Sequence, residues 1–139
     1  MRNSANAPAS IVAVAVVAAL VSVGCGGSWS SMQEGRADGK GSSRVYPGAC
    51  VQHAAAIVHA VEEISFEVSA NHLADKGELL ARHYAQGWVA EQRLAIWTES
   101  ADGGKTCRIT AYAMSKGGLS GQSSQPWQAS FFQSFKPAP

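Results

Sequence analysis

Four histidines, three cysteines and ten carboxylates are the side chains of this 139-residue chain that could carry chemistry. Their spacing assembles little. His53 and His59 are six positions apart on a helical pattern, which sets them about 120° apart around the axis, so one ion cannot take both. His72 and His83 flank a turn, where antiparallel pairing puts His72 near residues 80–81 and His83 opposite residues 69–70. No pair converges at zinc spacing, and the histidines read as surface or boundary residues. Cys25, Cys50 and Cys107 form no CxxC or CxxH. Gly104-Lys105-Thr106 copies the end of a phosphate-binding loop, but Glu99 stands where the pattern needs its first glycine, and a strand follows instead of a helix. There is no GxSxG elbow, and the neighbouring Glu62 and Glu63 point apart on a helix. The sequence therefore predicts a protein that is not an enzyme and uses no cofactor.

One constellation is better suited to binding. Trp97, Tyr112, Arg93 and Arg108 fall on one face of a pair of strands, and these residue types are enriched where proteins grip partners. They form the candidate partner-binding set. Cation–π pairing across the strands is the purely structural alternative. Trp127, Phe131, Phe132 and Phe135 share a helical stripe and are expected in the core, with a lipid groove between that helix and a sheet as the alternative.

The elements that position these residues begin after a leader. Residues 1–10 are polar with one positive charge, Arg2, and Ile11 to Val23 is an apolar run of thirteen. A membrane span needs roughly 20 apolar residues, so the run has the length of a signal peptide's hydrophobic region instead. It ends at Ser22-Val23-Gly24-Cys25, which resembles the lipobox of bacterial lipoproteins, although Ser22 stands where leucine is usual. The resemblance implies cleavage after residue 24 and lipidation of Cys25. Residues 26–44 are rich in Gly and Ser, and residues 25–44 read as a lipid-anchored flexible tether with a mean reach of roughly 25 Å. Arg2 is the only charge before Cys25, so the mature part has ten cations and ten anions. That balance gives no footprint for nucleic acid.

Residues 45–136 read as a single α+β domain, and 137–139 as a tail. Cys50, Ala54, Ile57, Val61 and Ile64 recur at helical spacing from Ala49 to Ile64, after Pro47. Phe66, Val68 and Ala70 then alternate as a half-buried strand, and Asp75-Lys76-Gly77 is a turn. Residues 78–85 form a second strand whose inward face stays open, because a one-residue slip exchanges Leu80, Arg82 and Tyr84 for Leu79, Ala81 and His83. Strands 88–99 and 105–114 flank Asp102-Gly103. A two-residue turn there pairs Thr98 with Cys107, Ile96 with Ile109 and Leu94 with Ala111 on one face, and Trp97 with Arg108 and Arg93 with Tyr112 on the other. After a loop at 117–124, a short helix opens near Pro126. The expected fold is a four-stranded antiparallel meander with both helices packed on one face.

Val45-Tyr46-Pro47, the Ala-rich helix ending Val61-Glu62-Glu63, and Phe66-Glu67-Val68 resemble a family of small uncharacterised bacterial lipoproteins. The arrangement is similar, more loosely, to BamC-like helix-grip domains. The resemblance implies a periplasm-facing envelope protein, and Gly26 rather than Asp after Cys25 resembles the enteric sorting pattern for the outer membrane over the inner. The expected function is a non-catalytic module that binds an envelope protein, with carriage of a lipid or small apolar ligand as the alternative. In an oxidising compartment Cys50 and Cys107 are the two thiols left once Cys25 is lipidated. Both fall on faces turned toward the space between helix and sheet, so a disulfide between them is expected.

Overall fold

The structure, a computed structural model, describes residues 29–83, 91–116 and 125–139. The leader and Cys25 lie outside them, as do the expected loop at 117–124 and Tyr84. The chain is α+β, with a five-stranded antiparallel sheet in the order β1-β5-β4-β3-β2. The strands are β1 (Ser42–Pro47), β2 (Glu67–His72), β3 (Glu78–His83), β4 (Glu91–Ala101) and β5 (Thr106–Lys116). Among the described residues three helices accompany them: α1 (Trp29–Ala37), α2 (Ala54–Glu63), entered through a 3-10 turn at Cys50–His53, and α3 (Gln125–Ser134).

The expected meander of four strands corresponds to β2 to β5. The helix α1 and the first half of the fifth strand, β1, lie within residues 25–44, the stretch expected to be a flexible tether. Residues 29–44 are instead part of the fold. β1 is held by pairing with β5, from Ser42 opposite Ala111 to Pro47 opposite Thr106. α1 ends where Gly39 takes φ 76° and its N–H reaches Arg36 O at 3.0 Å, while Lys40 N–H bonds Gly35 O at 2.8 Å. This capping satisfies carbonyls that the last helical turn leaves unpaired.

α2 and α3 pack on one face of the sheet, as expected. Ile57, Val61, Leu79, Leu94, Ile96, Ile109 and Phe131 are fully buried there, with Phe66, Phe132 and Phe135 beside them. The open question in β3 is answered by this core: Leu79 and Ala81 face α2 and α3, and Leu80 faces the other side. α2 stops at a second capped end. Ser65 takes φ 70° and donates to Glu62 O, and Phe66 N–H donates to Val61 O. The cap brings Phe66 and Val61 into the same core. Gln128 of α3 is buried and receives Ala113 N–H at 3.2 Å while donating to Ser42 Oγ at 2.8 Å. It takes over the exposed backbone of β5 where β1 has not yet begun.

Two expected registers change. In β2 the pairing jumps between Val68 opposite Ala81 and Ala70 opposite Leu80. The bulge at Ser69 turns Ala70 to the face opposite Val68, and it leaves His72 opposite Glu78. In the second hairpin Ala101 pairs with Thr106, so four residues, 102–105, make the turn. Asp102, Gly103 and Gly104 all take positive φ, which a two-residue turn does not accommodate. The register therefore moves by two: Thr98 faces Ile109, Trp97 faces Thr110 and Glu99 faces Arg108. An even shift keeps every side chain on its expected face.

Cys50 and Cys107 are joined by a disulfide with Cα atoms 4.9 Å apart. It ties the 3-10 turn ahead of α2 to the start of β5.

Candidate functional site

The candidate set of Trp97, Tyr112, Arg93 and Arg108 lies on the sheet face away from α2 and α3, as the strand parity requires. That face is not open. α1 lies across it, burying Met32 against Ala95, Trp97 and Tyr112, with Trp29, Leu80 and Met114 around them. Trp97 is 1% exposed, Arg93 6% and Tyr112 8%, and Arg108 alone of the four is exposed. The missing signal was α1 itself, because a Gly/Ser-rich segment offers no apolar period to mark a helix.

Trp97 and Glu78 find polar partners within the layer. Trp97 Nε1–H donates to Glu78 Oε2 at 2.9 Å, and Gln33 Nε2 of α1 donates to the same oxygen at 2.6 Å. The Trp97 and Tyr112 rings stack at 6.5 Å. The Arg36 guanidinium lies 5.0 Å over Trp97, and Arg93 lies 5.1 Å over Trp29. Arg82 and Arg93 both approach Glu91 at 3.4 Å. Trp29 and Trp97 thus each meet a cation on a π face. Gly35 sits so close to the sheet that a Cβ there would lie 2.8 Å from Tyr112 Cε1.

Arg108 borders a small groove of about 180 Å³ at the C-terminal end of α1, with Arg36, Lys40, Glu99 and the hydrogen-bonded hydroxyls of Ser43 and Thr110. A larger open groove of about 360 Å³ lies at the other side of the turn region, between Cys50, Val51, Leu73, Lys76 and Thr98. Neither lies between the sheet and α3, where an apolar cargo would sit.

The histidines have separate employments. His53 is fully buried, with Nε2 2.9 Å from Pro47 O and Nδ1 receiving Ala138 N–H at 3.3 Å. His59 approaches Glu63 at 3.8 Å and His72 approaches Asp75 at 3.6 Å, both at the surface. His83 Nδ1 lies 2.9 Å from Ser65 O. Among the described residues no three His, Cys, Asp or Glu side chains gather as a metal site. Nor, among them, is any helix long and apolar enough to cross a membrane. No protein-family model matches the chain, and no curated protein matches it significantly.

Proposed function

We propose that this protein is a non-catalytic lipoprotein module of the bacterial cell envelope, anchored through a lipid on Cys25 and presenting its α+β domain to a protein partner. The supporting observation is the cysteine arithmetic. Of three cysteines, Cys50 and Cys107 are bonded to each other. Cys25 is left over at the foot of the Ile11–Val23 apolar run, and a disulfide suits an oxidising compartment outside the cytoplasm. The periplasm, with the outer membrane as the anchoring surface, is the location this reading implies.

The position of α1 changes how such an anchor would work. Trp29, the first described residue, is already in the helix, and only three residues separate it from Cys25. At about 3.6 Å per residue the domain would sit within roughly 14 Å of the modified cysteine. It would act at the membrane face and not at the end of a long leash. The space between the sheet, α2 and α3 is occupied by buried Ile57, Phe131, Phe132 and Phe135, which favours partner binding over carriage of an apolar ligand.

Metabolic labelling with a fatty acid tests the anchor. The expected result is a labelled protein that enters the detergent phase, and a Cys25→Ser variant that does neither. Unlabelled wild-type protein with its N-terminus beyond Cys25 refutes the reading.

A further inference from the structure

We propose that the groove at the C-terminal end of α1 is a binding site for a phosphate group, held by Arg36, Lys40 and Arg108. The inference goes beyond the envelope reading above and depends on neither the lipid anchor nor a protein partner. Arg108 is the one exposed residue of the four singled out for binding in the sequence, and it lines this groove of about 180 Å³.

Strand register builds the floor. Ser43, Thr110 and Trp97 stand in one row across β1, β5 and β4, and Arg108 and Glu99 face one another in the next row toward the hairpin turn. The wall is the end of α1 and its connection to β1. Gly41 brings that connection down onto the sheet, so close that an added Cβ would lie 2.9 Å from Ala111 O, and Lys40 stands beside it at the groove. The carbonyls at the end of α1, which would repel an anion, are already engaged: Arg36 O accepts from Gly39 N–H and Gly35 O from Lys40 N–H.

The groove concentrates charge that the chain as a whole balances. Arg36, Lys40 and Arg108 line it with Glu99, three cations to one carboxylate and so a net of two positive charges. Glu99 does not consume the excess. It lies directly opposite Arg108, yet among the described residues neither Arg108 nor Lys40 makes an ion pair. Arg36 rests 5.0 Å over the Trp97 ring, which positions the guanidinium without neutralising it. The Ser43 and Thr110 hydroxyls are 2.7 Å apart. One hydroxyl hydrogen satisfies that bond, and the other is left to donate.

This set matches a phosphate group, whose charge is about −1.5 to −2 at neutral pH. Two guanidiniums offer planar forks to its oxygens, and the ammonium and hydroxyl add single donors. The volume is below the roughly 300–1,000 Å³ of pockets that enclose drug-sized ligands, so the phosphate enters and the rest of its carrier stays outside. A soluble phosphate and a phosphorylated lipid headgroup share this chemistry.

The test is calorimetric titration of the full chain, in a maltoside detergent at neutral pH and fixed ionic strength, with inorganic phosphate. Saturable binding is expected, and Arg108→Ala and Lys40→Ala should each weaken it about tenfold, the loss of one charged hydrogen-bond donor. Both side chains are exposed, so the variants retain the fold. Glu99→Gln should tighten binding about threefold by removing the opposing charge. Lys76→Ala, in the other groove, should change nothing. Reconstitution in phosphatidylcholine vesicles identifies the source. Adding phosphatidic acid, whose headgroup is a phosphate monoester, should weaken the phosphate titration about tenfold if a lipid headgroup takes the groove, and leave it unchanged if the occupant is a soluble phosphate. No saturable binding of phosphate, chloride or acetate binding as tightly, or equal effects of Lys76→Ala and the two groove variants each overturns the proposal. Failure of the fatty-acid label would refute the anchor and leave the phosphate result standing, so the two readings fail separately.

Discussion

Reducing the Cys50–Cys107 bond to two thiols removes a cross-link between residues 57 apart and takes no heavy atom from the core. In the chain-entropy picture, releasing a loop of that length restores freedom to the unfolded chain worth about 4 kcal/mol at 25 °C. Domains of this size are stable by only about 5–15 kcal/mol, so the loss is a large share. At about 4–8 °C per kcal/mol, the midpoint should fall by roughly 15–30 °C. Cys50 lines an open groove, giving a reductant a route to the bond, whereas Cys107 is fully buried. The assay is a pair of urea titrations and thermal scans on oxidised and reduced wild-type protein. The slope of the urea titration should also steepen on reduction, because the uncrosslinked chain exposes more surface when it unfolds. Reduced wild type retains both sulfurs, so it reports the cross-link; Cys50→Ala with Cys107→Ala should cost more, through the space left at Cys107. Oxidised and reduced proteins agreeing within about 1 kcal/mol, with equal slopes, would refute the reasoning.

His53→Phe should destabilise the domain by about 2–4 kcal/mol, since it strips partners from the Pro47 carbonyl and the Ala138 N–H at a fully buried ring; a loss below about 1 kcal/mol in urea unfolding would count against that role. Two turn glycines should respond in opposite measure. At Gly77, φ is 64° and an added Cβ would lie 2.6 Å from Thr98 O, so Gly77→Ala should cost about 2–3 kcal/mol or more. At Gly103, φ is 63° with open space around it, so Gly103→Asn should cost less than about 1 kcal/mol, and equal losses at the two sites would contradict the steric argument.

Much of the inner layer was legible because its signals are local. The stripe through Ile57 and Val61 marks α2, and the alternation through Leu94 and Ile96 marks a strand whose buried face survived a two-residue change of register. The disulfide followed from the same parity. What escaped the reading depends on distant residues. Ser42–Pro47 has little strand character by itself and becomes β1 only because β5 offers an edge. α1 has no apolar period beyond Trp29, Met32 and the gap at Gly35, and the sheet supplies the rest of its stability. The same gap explains the candidate site: strand parity puts Trp97 and Tyr112 on the outer face, but their cover is a helix in residues whose Gly/Ser-rich composition predicts a tether.

The seam between β1 and β5 also has a consequence for how the molecule comes into being. Among the described residues β1 pairs with β5 alone, and about sixty residues of chain separate its end from the start of that partner; closing so long a loop is slow relative to forming the hairpins that follow. In a chain made from its N-terminus, Ser42–Pro47 is present long before Thr106–Lys116 exists. The β2–β3 and β4–β5 hairpins can form from neighbours, while β1 must wait, with its backbone unpaired, for the last strand to be completed. The seam therefore closes late, and the disulfide at Cys107 becomes available only then, since that cysteine is the second residue of β5. Oxidation then acts as a latch on a fold already closed.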